Sequence, residues 1–526
     1  MVSEATVPSA PPQGSRAERQ DLPAWVFWAL VGVVFALAVG MRLWRIEDPP
    51  LWYDEVASWI TASKSVPELI RSCQANVHPP LYFLLLKGWM AAFGDGPASL
   101  RLFSALTTLL VMAAGMLLVR AVASDDVPRW RMLYVTILLG TAPLLVLYGR
   151  EVRMYALGAF WAVASCWAVL RAQTTERTGW LVTAGFLAAL GCYTHNYLLI
   201  HTFFLALYVA FVGIRRRYWD WVWAALIPGL LYLPWVPELL GQMARVKQDY
   251  WINPPSLFES GMLLVKMWSG LRGPLASIEY CLAGYGVTVV AAFLVLLEPF
   301  RGRWLLVLCS LGVGVGAAVW SIVWKPILVW RYLTPAFAVL CCAMALAAPL
   351  RDWLGRVVAS MFVVILVFLH VEFWPRYLPP ADAQDLRDAV AWLRERRKPD
   401  EPLVMNSPFL YLPWRYYDRG NNMYLAAYPT WEDVPHYLGK ALLKPSDIWD
   451  GTILKRCKAV WSAGMGAAAP GGPVGMRTDK DNAYTGPTRV FMAPDPIRVQ
   501  RYIVVSGNQA GATGASSKPP PNAPDG

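Results

Sequence analysis

The sequence predicts an α-helical polytopic membrane protein with a small α/β domain at its C-terminal end. Three observations lead to this fold class. The 526-residue chain is 56% hydrophobic and 16% charged, whereas soluble domains are usually about 25% charged. Long apolar runs with few charges recur between residues 23 and 374. Beyond residue 375 the apolar segments become short and alternate with polar turns.

The N-terminal segment divides into a polar part and a first apolar run. Residues 1–22 are rich in proline, serine and charge, which predicts a cytoplasmic, disordered N-terminus. The run from Pro23 to Met41 has no charged residue and is long enough to cross a bilayer, which takes ~20 residues. Because the first 22 residues contain no apolar core of a signal peptide, we interpret this run as an uncleaved anchor helix.

About eleven spans are predicted, in a transmembrane domain covering residues 23–374. The runs that follow the first one lie at about 98–122, 132–149, 154–170, 178–194, 197–214, 221–237, 280–297, 304–324, 332–350 and 354–374. Two shorter candidates, at 79–93 and 257–271, hold ~15 residues each, and we predict interfacial or re-entrant helices there because this length is too short to span.

Arginine clusters between the runs set the topology. If the N-terminus is cytoplasmic, every second loop carries such a cluster, as the positive-inside rule requires. The clusters are Arg129 and Arg131, Arg171 and Arg177, Arg215–Arg217, Arg301 and Arg303, and Arg351 and Arg356. This distribution accounts for a net charge of +11 without a nucleic-acid partner. We therefore predict a multi-pass protein of the cell inner (plasma) membrane.

The other polar clusters fall in the opposite, outer loops. They are Asp54–Glu55, His78, "YGREVRMYAL" at 148–157, "YTHNYL" at 193–198 and "KPILVWRYL" at 325–333. Because all of them share one side, we expect a cavity at the external membrane face, lined by acids, arginines, histidines and tyrosines.

The C-terminal part is predicted to be an extracytoplasmic α/β domain over residues 375–505. Residues 381–397 have apolar positions at helical spacing. Five short segments, "PLVMNSP", "NMYLAAY", "KAVWSAGM", "TRVFMA" and "RYIVVSG", are typical of strands between polar turns. Residues 506–526 are of low complexity, which predicts a disordered tail.

The eight cysteines show no CxxC pair or zinc-finger spacing. Six of them lie in or at the ends of apolar runs, and we expect buried, inert thiols there: Cys166, Cys192, Cys281, Cys309, Cys341 and Cys342. Cys73 and Cys457 lie outside the runs, and a disulfide between them is an open alternative.

Asp54 and Glu55 allow two interpretations that are compatible with each other. In the first, Asp54 is a general base and Glu55 a supporting carboxylate, both catalytic. In the second, Asp54 is the N-cap of a helix and Glu55 stabilises its first turn.

The histidines and the amide of the outer loops are candidate substrate-binding groups. His78 precedes two prolines that suit a helix start, and it could face the same site as Asp54 or be an ordinary interfacial residue. His195 and Asn196 lie in a short outer loop. For His201, deeper in the next run, we expect an interhelical hydrogen bond.

The outer arginines run against the positive-inside trend. Arg150, Glu151, Arg153 and Tyr155 lie between two runs, and Arg331 and Tyr332 lie near a later one. A phosphate would explain arginines at these positions. The structural alternatives are a pair between Glu151 and an arginine, and an aromatic-arginine anchor at residues 331–332.

The ordered motifs "DE", "HPPLYFLLLKGW", "YGREVRMYAL", "YTHNYL" and "RYL" resemble those of the GT-C superfamily of polyprenyl-phosphate-sugar-dependent glycosyltransferases. Within it, the chain is similar to bacterial relatives of protein O-mannosyltransferases and lipid A aminoarabinose transferases (glycosyltransferase family 39-like). The resemblance covers about residues 25–350. It implies a GT-C fold and an inverting transfer of a sugar from a polyprenyl-phosphate donor to an acceptor (lipid, glycan or protein) at the outer face of the membrane.

The resemblance also implies residue roles. Asp54 corresponds to the catalytic base of the family and Glu55 to a residue that orients the site. Arg150, Arg153, Tyr155, Arg331 and Tyr332 correspond to motifs around the donor phosphate and sugar. The family's position near the lipid phosphate is His78 here, where some relatives have an acid that helps to hold a metal. A divalent metal is therefore an open expectation, with His78 as its candidate ligand, and the cofactor is otherwise unknown.

The reaction agrees with these residue types. Displacing a polyprenyl phosphate requires a base for the incoming hydroxyl and positive charge for the departing phosphate. A multi-span transporter or lipid flippase of the cell envelope is the alternative, although transporters need polar groups near the midplane. A polymerase or ligase of lipid-linked glycans is a third interpretation. The sugar and the acceptor are not predicted.

Overall fold

The computed structural model describes residues 21–123, 128–248, 252, 255–271, 277–349, 353–378, 386–419, 423–426, 428, 430–435, 440–449, 457–465, 476–486 and 497–504. The first ten helices are α1 (Ala24–Leu43), α2 (Tyr53–Ser63), α3 (Val66–Ala75), α4 (Leu81–Phe93), α5 (Pro97–Val122), α6 (Pro128–Thr141), α7 (Pro143–Tyr148), α8 (Tyr155–Thr175), α9 (Gly179–Thr194) and α10 (Leu198–Arg216). The next are α11 (Trp219–Ala224), α12 (Ile227–Tyr232), α13 (Val236–Gln248), α14 (Leu257–Ser269), α15 (Ile278–Leu297), α16 (Arg303–Val307), α17 (Val313–Val323), α18 (Thr334–Ala347), α19 (Trp353–Tyr377), α20 (Leu386–Arg396) and α21 (Pro408–Tyr417).

Nine helices within the described ranges are long and apolar enough to cross a membrane. They are Ala24–Leu43, Pro97–Val122, Tyr155–Thr175, Leu198–Arg216, Trp219–Arg245, Ile278–Leu297, Arg303–Val323, Trp330–Ala347 and Gly355–Tyr377. Each corresponds to one of the predicted runs. The chain is a multi-pass membrane protein.

Two of the eleven predicted spans form helices that are shorter than expected. The number of eleven spans therefore stays a prediction. The run at 132–149 is divided into α6 and α7 at Ala142, whose ψ of 123° is extended, because proline disfavours a helical residue before it. The run at 178–194 forms α9, which has 16 residues. The two short candidates form α4 and α14, with 13 residues each.

The helices differ in how much of their surface the protein covers. Buried residues make up 78% of the α8 window and 94% of the window that contains α18, but only 22% of those of α1 and α15. Alanine is frequent in α18, and small side chains allow membrane helices to approach closely. The bundle is therefore built around α8 and α18, and α1 and α15 present apolar faces outward.

A five-stranded mixed sheet follows the last membrane helix. Its strands are β1 (Leu403–Met405), β2 (Met423–Leu425), β3 (Ala459–Met465), β4 (Met476–Gly486) and β5 (Ile497–Val504), in the order β2-β1-β3-β5-β4. β1 is parallel to β2 and β3, whereas β5 is antiparallel to β3 and β4. Four strands overlap predicted ones, β4 was not predicted, and "TRVFMA" at 488–493 lies outside the described residues. The domain limits proposed from the sequence stay predictions.

Helix α21 joins this sheet to α2. The Leu51 N–H, just before α2, donates to the Tyr417 hydroxyl at 2.8 Å. The rings of Tyr53 and Phe409 lie 5.1 Å apart, and those of Trp59 and Tyr416 lie 4.9 Å apart. The C-terminal part of the chain therefore forms a wall against the helix that carries Asp54. All eight cysteines are free thiols, so Cys73 and Cys457 are not joined.

The contact between Tyr417 and Leu51 gives a testable prediction. Leu51 is buried, so Tyr417→Phe leaves its N–H without a partner, and we expect a loss of about 1–3 kcal/mol in the free energy of unfolding. Denaturant titration in detergent micelles measures this loss. The matched control is Tyr424→Phe, since the Tyr424 hydroxyl, in β2 of the same sheet, makes no hydrogen bond among the described residues. Equal losses in the two variants would show that the hydrogen bond between Leu51 and Tyr417 does not stabilise the contact of α21 with α2.

Candidate active site

A buried ion pair fixes the first turn of α2. Glu55 is fully buried, and its carboxylate accepts from Arg101 Nε at 2.8 Å and from Arg101 Nη2 at 2.7 Å. It also accepts the backbone N–H groups of Trp52 at 3.3 Å and Val152 at 3.2 Å. The other Arg101 nitrogen, Nη1, donates to the carbonyls of Ile46 and Pro49. Glu55 therefore ties α2 to α5 and to the segment before α8.

Asp54, one residue earlier, has a different environment. Its side chain is 20% exposed, and Arg153 Nε lies 3.9 Å from its Oδ2, which is longer than a hydrogen bond. No hydrogen bond to this carboxylate occurs among the described residues. Successive helical residues point about 100° apart, so the pairing of Glu55 turns Asp54 away from the ion pair. Of the two adjacent acids, Asp54 is thus the one whose carboxylate lone pairs are not used in hydrogen bonds among the described residues.

The N-cap interpretation of Asp54 is wrong. Helix α2 begins at Tyr53, and its N-cap is Trp52. Asp54 therefore lies inside the first turn, where a carboxylate is favourable to the helix dipole. The acid that caps this helix end is Glu55, whose carboxylate accepts a hydrogen bond from the Trp52 N–H.

Arg153 connects Asp54 to the next group of the site. Its Nη1 donates to the Asp54 carbonyl at 3.2 Å and to Ser58 Oγ at 3.3 Å, and these contacts hold it along α2. Its Nη2 lies 3.3 Å from His78 Nε2. The guanidinium is 5.9 Å from the Tyr155 ring centroid. Arg153 is therefore held between the acid and the imidazole.

An aromatic layer extends from His78 to the end of the loop before α18. The ring centroids of His78 and His195 lie 5.3 Å apart, and those of His195 and Tyr332 lie 4.9 Å apart. Tyr155 lies 5.7 Å from His195 and 6.0 Å from Tyr332. Arg331 is buried, with its guanidinium 5.6 Å from the Tyr332 ring. The structure thus brings together predicted residues from four separate parts of the chain.

Asn196 holds the His78 loop in place. Its Nδ2 donates to the Val77 carbonyl at 3.0 Å and to Gln242 Oε1 at 2.9 Å. Its Oδ1 accepts from the Tyr232 hydroxyl at 3.1 Å. With these three bonds its amide is used within the protein, and Asn196 positions His78 indirectly.

Arg150 is not brought to the group formed by Asp54, Arg153 and His78. Its guanidinium donates to the carbonyls of Met41, Arg42 and Arg45 at the C-terminal end of α1. It also lies 5.2 Å from the Trp374 ring and 5.0 Å from the Tyr377 ring. These contacts satisfy the carbonyls that a helix end leaves unpaired. Glu151 is buried beside it, and a substrate contact by either residue is untested.

Burial, reinforced by two arginines, lowers the pKa of both histidines. Burial, with Arg153 and then Arg331, lowers the pKa of His195 to about 3. Burial also lowers the pKa of His78 well below its usual value, and Arg153, His195 and Arg331 add to the effect. Positive charge therefore dominates this part of the site, which suits a phosphate rather than a further cation.

The residues around His78 do not fit a metal. Its Nε2 faces the Arg153 guanidinium at 3.3 Å. Among the described residues, the group of three His, Cys, Asp or Glu side chains close enough to share an ion lies elsewhere, in the membrane bundle. The contact with Arg153 does not support His78 as a metal ligand.

Three contributors were missed from the sequence. Arg101 was missed because it lies within an apolar run, although an arginine inside a predicted span is itself a signal of function or pairing. Ser58 follows the Asp54–Glu55 pair by three residues, and Tyr197 lies within the predicted "YTHNYL" motif but was not singled out. The ring of Tyr197 packs 5.5 Å from that of Tyr332. The external cavity expected from the sequence stays a prediction.

Comparison with known proteins gives one family and a fold. Residues 77–240 match the model of the dolichyl-phosphate-mannose-protein mannosyltransferase family. These residues include His78, Arg153, Tyr155 and His195. This segment of the chain is therefore similar to a family of membrane glycosyltransferases.

Two solved structures share the fold of this chain. ArnT from Cupriavidus metallidurans in the apo state matches with a TM-score of 0.56 and 13% identity, over 91% of this chain and 98% of ArnT. ArnT bound to undecaprenyl phosphate matches with a TM-score of 0.55 and 15% identity, over 92% and 99%. The predicted GT-C fold is confirmed.

Two further comparisons were less informative. The archaeal oligosaccharyltransferase AglB from Archaeoglobus fulgidus has a TM-score of 0.43 and 13% identity over 83% of this chain and 69% of AglB, which is too weak to carry an argument. No curated protein sequence matches.

The buried pair predicts a large effect on stability. Glu55→Gln leaves Arg101 charged and buried without its partner, which costs about 3–5 kcal/mol of unfolding free energy. Denaturant titration in micelles measures it. The control is Glu372→Gln, which removes the Glu372–Arg376 pair at 2.9 Å, whose side chains are 39% and 42% exposed. An exposed pair contributes about 0–1 kcal/mol. Similar losses in both variants would contradict the anchoring role of Glu55.

His195 predicts a pH dependence of stability. Its folded-state pKa of about 3 lies below the usual value of about 6.5. As the pH falls, His195 therefore takes up a proton in the unfolded chain before it does so in the folded protein. The contribution of neutral His195 to the free energy of unfolding is complete above about pH 6.5 and is lost as the pH falls toward 3. Relative to His195→Gln, the wild type should lose about 2 kcal/mol between pH 6.5 and 5. Parallel stability curves for the two proteins, measured by denaturant titration, would show that His195 is not held neutral.

Proposed function

We propose that the chain transfers a sugar from a polyprenyl-phosphate donor to an acceptor hydroxyl at the outer face of the membrane, with inversion. Asp54 is the general base in this proposal. Arg153 and Arg331 bind the donor phosphate, and Tyr155, His195 and Tyr332 line the sugar. Glu55 acts on the site by positioning Asp54.

The contrast between the two adjacent acids carries the proposal. Glu55 accepts four hydrogen bonds, so its lone pairs are committed to the protein. Asp54 accepts none among the described residues and is partly exposed. A general base needs a free lone pair within reach of the proton that it takes. Asp54 meets this requirement and Glu55 does not.

The arginines supply the charge that the leaving group needs. Arg153 lies 3.9 Å from Asp54, so a base and a cation stand side by side. Arg331 joins the same electrostatic environment, because both arginines act on His78 and His195. A phosphate that departs with its negative charge is stabilised by such preorganised donors.

The reaction is balanced with these groups. The acceptor oxygen bonds to the anomeric carbon of the sugar while the bond from that carbon to the phosphate oxygen breaks. Asp54 takes the acceptor's proton, and polyprenyl phosphate leaves with the electron pair. The leaving phosphate needs no proton donor, so a single carboxylate is sufficient, in contrast to glycoside hydrolysis. A single displacement inverts the anomeric centre.

The lipid nature of the donor is supported by relatives. ArnT has been solved with undecaprenyl phosphate, and the matched family model is named for dolichyl-phosphate-mannose. We extend this donor class to the present chain. Arginine clusters on the alternate loops support a cytoplasmic N-terminus and an extracytoplasmic site and C-terminal domain in the inner membrane.

Asp54→Asn is expected to lower the rate of sugar transfer by at least about 10²-fold, because the amide cannot take the proton. The measurement is release of undecaprenyl phosphate from a panel of undecaprenyl-phosphate sugars, with envelope lipid and glycan extracts as acceptors. Donor affinity should change little, since the phosphate contacts remain.

The matched control is Glu68→Gln, an exposed acid of the same outer loop, which should retain the wild-type rate. Transfer by Asp54→Asn at the rate of this control would remove Asp54 from the base role. Mass spectrometry of the wild-type product distinguishes transfer of one sugar from transfer of an oligosaccharide by a ligase or polymerase.

A further inference from the structure

Two cysteines and a histidine meet inside the membrane bundle, away from the proposed active site. Cys166 lies in α8, His201 in α10, and Cys309 in the segment that joins α16 to α17. One ligand atom from each lies within 4.8 Å of the other two. All three residues are buried. The chemistry proposed for sugar transfer uses none of them.

The hydrogen bonds around His201 define its tautomer. The Ser165 hydroxyl donates to the Ala162 carbonyl at 3.0 Å, so its oxygen is an acceptor toward His201 Nε2 at 3.1 Å. Nε2 therefore carries the proton and Nδ1 carries the lone pair. This is the interhelical hydrogen bond expected from the sequence.

The lone-pair nitrogen is left without a hydrogen bond. Among the described residues, no nitrogen or oxygen atom is hydrogen bonded to the buried His201 Nδ1, which is costly for a polar atom in the interior. Metal-binding histidines usually donate their other ring N–H to an oxygen that fixes the ring. Ser165 has this arrangement, and Nδ1 is the atom that remains for a ligand.

The backbone is also distorted at Cys309. Residues Leu308–Gly312 form a π-helical turn within the span Arg303–Val323. Such turns insert one extra residue into a helix and occur often at functional sites. Here the turn contains the third member of the cluster.

The donor set favours zinc(II). Two thiolates and an imidazole are soft to borderline ligands, which suit zinc. The two thiolate charges and one zinc(II) sum to zero, and a neutral group is the least costly to bury in a membrane bundle. Zinc–sulfur bonds of about 2.3 Å place two sulfurs about 3.8 Å apart in a tetrahedron, so the ligand atoms need to move by roughly 1 Å.

We propose that Cys166, His201 and Cys309 form a zinc(II) site that cross-links α8, α10 and the π-helical turn. Binding releases the two thiol protons to solvent, and His201 coordinates through Nδ1. Three protein donors leave one tetrahedral position for water. Because the site is buried, the metal enters as the chain folds.

Metal analysis of the full-length protein tests the proposal. The protein is expressed with added zinc sulfate, purified in detergent without a histidine tag, and dialysed against a weak chelator. We expect one equivalent of zinc per chain. Cys309→Ser and His201→Gln should each lose it, whereas Cys192→Ser, which replaces a buried thiol of α9 outside the cluster, should keep it.

Cobalt(II) provides a second measurement that does not depend on whether the variants fold. Wild-type protein expressed with cobalt should show thiolate-to-cobalt charge-transfer absorption in the near ultraviolet, and Cys192→Ser should show it too. Wild-type protein without stoichiometric zinc, or zinc retained by both ligand variants, would overturn the site. Bound cobalt without the thiolate band would overturn the ligand assignment.

Discussion

The Glu55–Arg101 ion pair is the interaction on which the proposed active site depends. Removing two charges from water is costly, and the pair repays this cost only because both partners are fully hydrogen bonded. Arg101 donates hydrogen bonds to carbonyls of the segment before α2, and Glu55 accepts one from the N–H of Val152. The pair thus holds together α2, α5 and the segment that leads to Arg153.

The position of Asp54 follows from that pair. Because Glu55 is fixed against α5, the Asp54 side chain is directed toward Arg153. Burial and the nearby positive charge keep both histidines neutral, so the site offers one free carboxylate and two arginines. The wall formed by α21 closes the other side of α2 through Tyr417 and Phe409.

The membrane fold and most of the candidate site residues could be predicted from the sequence. Apolar runs indicate spans, and the polar clusters between them indicate a shared site. The pairing of residues far apart in the chain could not be predicted. Arg150 and Arg153 are three residues apart in one motif, yet Arg150 caps α1 and Arg153 contacts Asp54. Pro143 divides a run whose composition alone resembles a continuous span. β4 was missed because "MRTDKDNAYTG" lacks the apolar alternation of a strand, and it forms at the sheet edge by pairing with β5.

A structure of the protein with undecaprenyl phosphate bound tests the central claim most directly. We expect the phosphate oxygens within hydrogen-bonding distance of the Arg153 and Arg331 guanidinium groups, with the Asp54 carboxylate beside the phosphate and not bonded to it. A phosphate bound away from both arginines, for instance against the Arg301 and Arg303 cluster, would contradict the proposed site.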